Sequence, residues 1–145
     1  MWNVKRCLLI VINKRYEVYS KGDDFIRRYI FPGGHLPTVT QLVRSICEGS
    51  SGTLVVNDIE NIGPHYAKTL RLWRENFLRN FEEKIKPALF QEHQNMTKAD
   101  LEIFRRKWEY YFMYCEAGFA TNTLGDVIIT ASREGAMEMI EDIPL

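Results

Sequence analysis

The chain has 145 residues, with 19 Lys+Arg set against 19 Asp+Glu, and 46% of it is apolar. That length fits one domain, and the even charge lacks the basic surplus with which a nucleic-acid binder displaces counterions from phosphates. The longest apolar run, Cys7 to Ile12, is six residues, far short of the roughly 20 that span a bilayer.

Lys5 and Arg6 lead into that run, which is too short for a signal-peptide core and has no small-residue cleavage site after it. Cys7, Cys47 and Cys115 are widely spaced and form neither a disulfide framework nor a zinc pattern. A reducing, cytoplasmic setting is expected.

Residues 5–13 read as a strand: Cys-Leu-Leu-Ile-Val-Ile is rich in β-branched residues and stops at Asn13-Lys14-Arg15. Its lack of alternation predicts cover on both faces, as in a parallel sheet. A short helix follows over 23–29, with Asp23 or Asp24 available to cap it, and ends before Pro32-Gly33-Gly34. A second helix begins after Pro37. Thr38 and Gln41 are spaced as a capping box, and Val39, Leu42, Val43 and Ile46 give it one apolar stripe. Gly49 to Gly52 make a turn, and residues 53–58 a second strand.

Two long helices come next. The first starts near Pro64 and carries Tyr66, Leu70, Trp73, Phe77 and Phe81 on one face; Pro87 is expected to end or kink it. The second starts at Thr97 with Asp100 three residues on, and carries Leu101, Phe104, Trp108, Tyr111, Cys115 and Phe119. Residues 126–132 read as a last strand, and 134–145 as an acidic, Met-bearing tail beyond a domain over 1–133. The alternation of strands and helices predicts an α/β fold. Three strands are few for a sheet of that class. The expectation is therefore part of a sheet, with the remainder before Met1.

Of the nine glycines none stands in a dinucleotide-binding or Walker-type loop, so no phosphate cradle is expected. His35, His65 and His93 lack metal-ligand spacing. Pro32-Gly33-Gly34-His35 could line a ligand or simply turn the chain. Tyr66, after a strand and at a helix start, could meet a ligand beyond the carboxyl ends of the strands, or could head the core stripe of its helix. Glu60, at the end of the second strand, could serve as an acid or base or be an exposed loop carboxylate. Cys115 reads as a packing residue. The mixed Lys/Arg and Glu of the long helices suit a solvated face, or a face resting on anionic lipid.

Three stretches together carry a family resemblance: residues 24–37 (DFIRRYIFPGGHLP), 58–73 (DIENIGPHYAKTLRLW) and 108–119 (WEYYFMYCEAGF). In this order and spacing they resemble the C-terminal part of cyclopropane-fatty-acyl-phospholipid synthases and mycolic acid cyclopropane synthases. The resemblance implies the C-terminal half of a class I S-adenosylmethionine-dependent methyltransferase (Rossmann-like) fold. That half would have three strands, the last antiparallel and inserted between the other two, and about four helices. It implies methyl transfer to a double bond of a phospholipid acyl chain, then loss of a proton to a bound bicarbonate.

Site residues follow from the resemblance alone. Tyr66 matches the catalytic tyrosine. Phe31, Pro32, Gly33, His65 and Cys115 match the substrate pocket, and the Ile12 backbone a contact to the anion. Ile10 stands where the family has histidine or glutamine, and its side chain can neither donate to nor accept from an anion. The cofactor loop and the remaining anion ligands would precede Met1, so this chain is expected to bind no cofactor and to be inactive alone. Phospholipid acyl chains are the implied partners, with contact to the inner face of the membrane and no nucleic acid. The alternative is a non-catalytic module that binds lipid or pairs with itself, as a homodimer, through the exposed first strand.

Overall fold

A computed structural model describes residues 4–12 by their backbone, and residue 22 and residues 24–134 in full. Its strands are β1 (Val4–Ile12), β2 (Leu54–Asn61) and β3 (Leu124–Arg133). Its helices are α1 (Phe25–Tyr29), α2 (Val39–Gly49), α3 (Gly63–Asn80), α4 (Lys86–Glu92) and α5 (Lys98–Ala120). The α/β class predicted from the alternation of elements holds. The chain divides into two units: one gathers the chain up to Gly63 and from Thr123 onward, and the other is Pro64–Asn122.

In the first unit β3 lies between β1 and β2 and runs antiparallel to both, so β1 and β2 are parallel to each other. Val127 and Ile129 of β3 are buried, and Val39, Leu42 and Ile46 of α2 pack against them with Val56. The apolar stripe read from the sequence is thus the face that α2 lays on the sheet. The Thr38–Gln41 capping box forms in both directions, and Asp24 caps α1.

β2 is longer than predicted. A bulge between Val56 and Asp58 leaves Asn57 out of the ladder, where its side-chain amide donates to Ser132 Oγ at 2.8 Å. Pairing then resumes through Ile59, Glu60 and Asn61. An extra residue of this kind breaks the two-residue period on which the sequence reading rests. β3 likewise begins at Leu124, because Val11 and Ile12 pair with Gly125 and Leu124.

The second unit is helical. Thr97 and Asp100 form the second capping box. Leu70, Phe81, Leu101, Phe112 and Phe119 are its buried apolar residues. Trp73, placed on the core stripe by spacing, is 50% exposed, while Phe112, outside the predicted stripe, is buried and meets Phe77 at 5.7 Å.

At Pro87 the first long helix does not stop outright. The chain widens into a π-helical turn over Phe81–Ile85, where the Lys86 N–H donates to the Phe81 carbonyl, and continues as α4. Proline lacks an N–H, and its ring crowds the carbonyl four residues back. A turn with one extra residue relieves that crowding. The predicted Asn13 turn, the Asp23 cap and the tail beyond Glu134 lie outside the described residues.

Candidate functional site

Tyr66 sits one turn into α3. Its ring stacks on Phe119 at 5.1 Å and meets the edge of Trp73 at 6.5 Å. Tyr111 and Cys115, one turn apart on α5, join the same group: the Tyr111 hydroxyl and the Cys115 sulfur are hydrogen-bonded, and Tyr66 lies close enough to act on Tyr111 electrostatically. Burial is the main cause that pushes the Tyr111 phenol up to about 12, with Cys115 adding to it. Tyr111 therefore stays protonated, a hydrogen-bond donor throughout the physiological range.

Around this trio Trp108 stands edge-on to Tyr111 at 5.5 Å, and its indole N–H is buried with no hydrogen-bond partner among the described residues. The helices thus present two phenols and a thiol in an otherwise aromatic wall. Such a wall suits an apolar chain with a polar feature part-way along it.

α3 and α5 are also joined by charge. Glu116 receives Arg71 at 2.7 Å and Arg74 at 3.7 Å, and is itself 14% exposed. Arg105 pairs with Glu102 and Glu109, and Lys86 with Glu82, as expected of a solvated face. Ile103, Tyr110, Met113 and Tyr114 of α5 are exposed as well.

The structure therefore gathers Tyr66 and Cys115 and adds Tyr111, which the sequence reading placed on the stripe without a role. His65 is exposed, and its carbonyl accepts from the Thr69 hydroxyl at 3.0 Å. Phe31, Pro32 and Gly33 belong to the other unit. Phe31 is 56% exposed, Gly33 has φ +76° with open space around it, and the Gly34 N–H closes a turn onto the Phe31 carbonyl at 2.9 Å. Ile12 is in the same unit, at the carboxyl end of β1 opposite Leu124. Glu60 is exposed on β2. No group of three metal-ligating side chains occurs among the described residues, and no described helix is long and apolar enough to cross a membrane.

Sequence reasoning also passed over Asp126. It lies within β3 at 1% exposure, with neither carboxylate oxygen hydrogen-bonded among the described residues, and burial pushes its carboxyl above the ordinary range. The available signal was a lone charge beside Val-Ile-Ile, taken there as the strand's polar start.

The model of the mycolic acid cyclopropane synthetase family matches residues 5–128. The chain belongs to that family. It is 39% identical over 112 residues to a tuberculostearic acid methyltransferase of Mycobacterium tuberculosis, covering 77% of this chain and 23% of that protein. It is 33% identical over 97 residues to the cyclopropane-fatty-acyl-phospholipid synthase of Escherichia coli, covering 67% of this chain and 21% of that one. Mycolic acid cyclopropane synthase CmaA1, solved with SAH and CTAB, shares the fold at a TM-score of 0.65 and 23% identity, over 90% of this chain and 44% of its own. The chain thus spans about a fifth to a quarter of these curated relatives.

The family is S-adenosylmethionine-dependent. The described residues do not fit that group. It needs open backbone N–H groups at a glycine-bearing turn from strand to helix. At the described turn, Gly63, an added Cβ would lie 2.9 Å from Asn61 Oδ1 and 3.1 Å from Asp126 N, so protein already fills the space.

Proposed function

We propose that these residues form the lipid-facing, C-terminal portion of a fatty-acyl-phospholipid cyclopropane synthase-like methyltransferase, in the Rossmann-like class I fold. In this reading the methyl donor and most of the anion site are held by other parts of such an enzyme, and the portion described here binds no donor and is inactive by itself. The group formed by Tyr66, Tyr111 and Cys115 is the observation that carries the proposal. An acyl chain finds apolar contact along the aromatic wall, and the phenols offer hydrogen-bond donors where its reacting bond would lie.

Tyr66 is the catalytic candidate, as the residue in the family motif whose hydroxyl could hold an anion such as bicarbonate. In the strand unit, the Ile12 backbone is the anion-contact candidate that the resemblance implies. Phe31, Pro32, Gly33, His65 and Cys115 are the substrate-side candidates. Acyl phospholipids of the cytoplasmic membrane face are the partners this implies.

Two titrations test the reading. A fluorescent cis-unsaturated acyl probe should bind the chain saturably and be displaced by unsaturated phospholipid. S-adenosylmethionine should give no calorimetric signal, because positioning donor and alkene together needs both sides of the cage. Absence of saturable acyl binding sinks the lipid-side assignment, and micromolar binding of the donor sinks the claim of inactivity.

A second reading, self-association, is favoured by one observation: among the described residues β1 lies at the sheet edge and ladders only with β3. An open edge of this kind is a template for pairing. Light scattering behind size exclusion would give a dimer on that reading, and a monomer at all concentrations would end it.

A further inference from the structure

Tyr66 stands on α3, whereas Tyr111 and Cys115 stand on α5. The group therefore exists only while these two helices of the helical unit keep one register. Three contacts join them along their length. Tyr66 meets Phe119 at 5.1 Å near the start of α3, and Phe77 meets Phe112 at 5.7 Å toward its end. Between these aromatic layers Arg71 and Arg74 converge on Glu116, at 2.7 and 3.7 Å. Residue numbers rise on α3 as they fall on α5, so the helices run antiparallel. Glu102 and Glu109 are held within α5 by Arg105, which leaves Glu116, next in sequence to Cys115, to reach across.

The three contacts differ in what they can specify. Aromatic rings attract one another over a broad range of offsets and tilts. They recur along α5 at Phe104, Trp108, Tyr111, Phe112 and Phe119, so a helix that slid by one turn, about 5.4 Å, would still find rings to meet. A charged hydrogen bond from an arginine to a carboxylate demands both distance and direction. Stability does not account for this one. Arg71 is 59% exposed, and a pair so wet adds little, while Glu116 Oε2 is buried and accepts no hydrogen bond among the described residues. A polar contact of small net worth between apolar layers is a known means by which helix pairs select one register. We propose that Glu116 is a positioning residue: by gripping Arg71 and Arg74 it fixes the register of α3 on α5 and so holds Tyr66 beside Tyr111 and Cys115. The inference rests on the reading of that trio as the acyl-facing group and names the residue that arranges it.

The test uses the full chain, unaltered and as Glu116→Gln, Glu116→Asp and Leu101→Ala, each checked for an intact fold by circular dichroism. Leu101 is buried on α5 and takes no part in the trio, so its variant is a control that is destabilised without losing the clasp. Ring-to-ring nuclear Overhauser effects between Tyr66 and Phe119 read the register directly and should fall severalfold in Glu116→Gln. Affinity for the cis-unsaturated acyl probe should fall about tenfold in the same variant. Glu116→Asp, which keeps the charge, should retain most of both signals. Leu101→Ala should leave both unchanged although it lowers the melting temperature further. Unchanged ring contacts in Glu116→Gln, the same loss in Leu101→Ala, or a Glu116→Asp chain no better than Glu116→Gln overturns the inference. If the unaltered chain binds no acyl probe, the lipid-facing reading falls, and the ring contacts still decide the role of Glu116.

Discussion

In the helical unit Glu116 is shared by Arg71 and Arg74 at 2.7 and 3.7 Å, whereas in the strand unit Asp126, buried more deeply, meets neither a cation nor a hydrogen-bond donor among the described residues. Both acids are largely shielded from water, yet one joins two helices and the other stands without a partner among the described residues. The contrast separates two uses of charge. A carboxylate that is compensated in place holds the protein together. One left uncompensated costs stability where it stands.

The same contrast runs through the packing. The helical unit buries large aromatic rings face to edge, and the strand unit relies on smaller side chains under one helix. Phe81→Ala should therefore have the largest effect, about 3–5 kcal/mol in denaturant unfolding. In native-state hydrogen exchange the loss should fall on amides of Pro64–Asn122. Equal loss of protection in β3 would show that the two units unfold as one and would dissolve the comparison.

Gly63→Ala should cost about 1–3 kcal/mol, because the added methyl meets Asn61 Oδ1 at 2.9 Å and the backbone of Asp126 and Gly125 just beyond it, and that backbone cannot move aside. Its loss should appear first in β2 and β3.

Two neutralisations sharpen the comparison, since they should carry opposite signs. Asp126→Asn should stabilise the chain at neutral pH by about 1–3 kcal/mol. Its carboxyl titrates above the ordinary value of 3.8 in the folded state. The stability linked to it is therefore full below the unfolded pKa and is lost as pH rises through the folded one. The gain from asparagine should fade as the solution is acidified through that window. A thermal-melt series against pH reads this directly, and a neutral or negative shift at pH 7 would mean that the carboxylate has a partner. Glu116→Gln should instead destabilise by up to about 1 kcal/mol, an effect that shrinks in high salt.

Much of the architecture was legible in the amino acids because it rests on local rules. The capping boxes at Thr38 and Thr97, the cap at Asp24 and the stripe on α2 follow from spacings of three and four residues, and they stand where spacing put them. What escaped depends on partners distant in sequence. The bulge at Asn57 is set by pairing with Ser132. Trp73 stays half-exposed, although its spacing fits the core, because burial is decided by what packs across the helix and not by the helix itself. Among site residues, Tyr66 and Cys115 were found through a motif. Tyr111 and Asp126 were passed over: one looked like one more ring in a stripe, and the other like the end of a strand.

The loosened coil at Phe81–Ile85 governs the direction in which α4 points its side chains. An α-helix rotates about 100° for each residue, so a surplus residue in one turn changes the phase of everything after it. With alanine in place of Pro87, the restored N–H and the missing ring would allow the coil to tighten. Leu89 and Phe90, half-buried here, would then swing about a quarter-turn around the axis. One imino acid thus acts as a ratchet pin, fixing which sides of the last two turns of that helix are wet and which are dry.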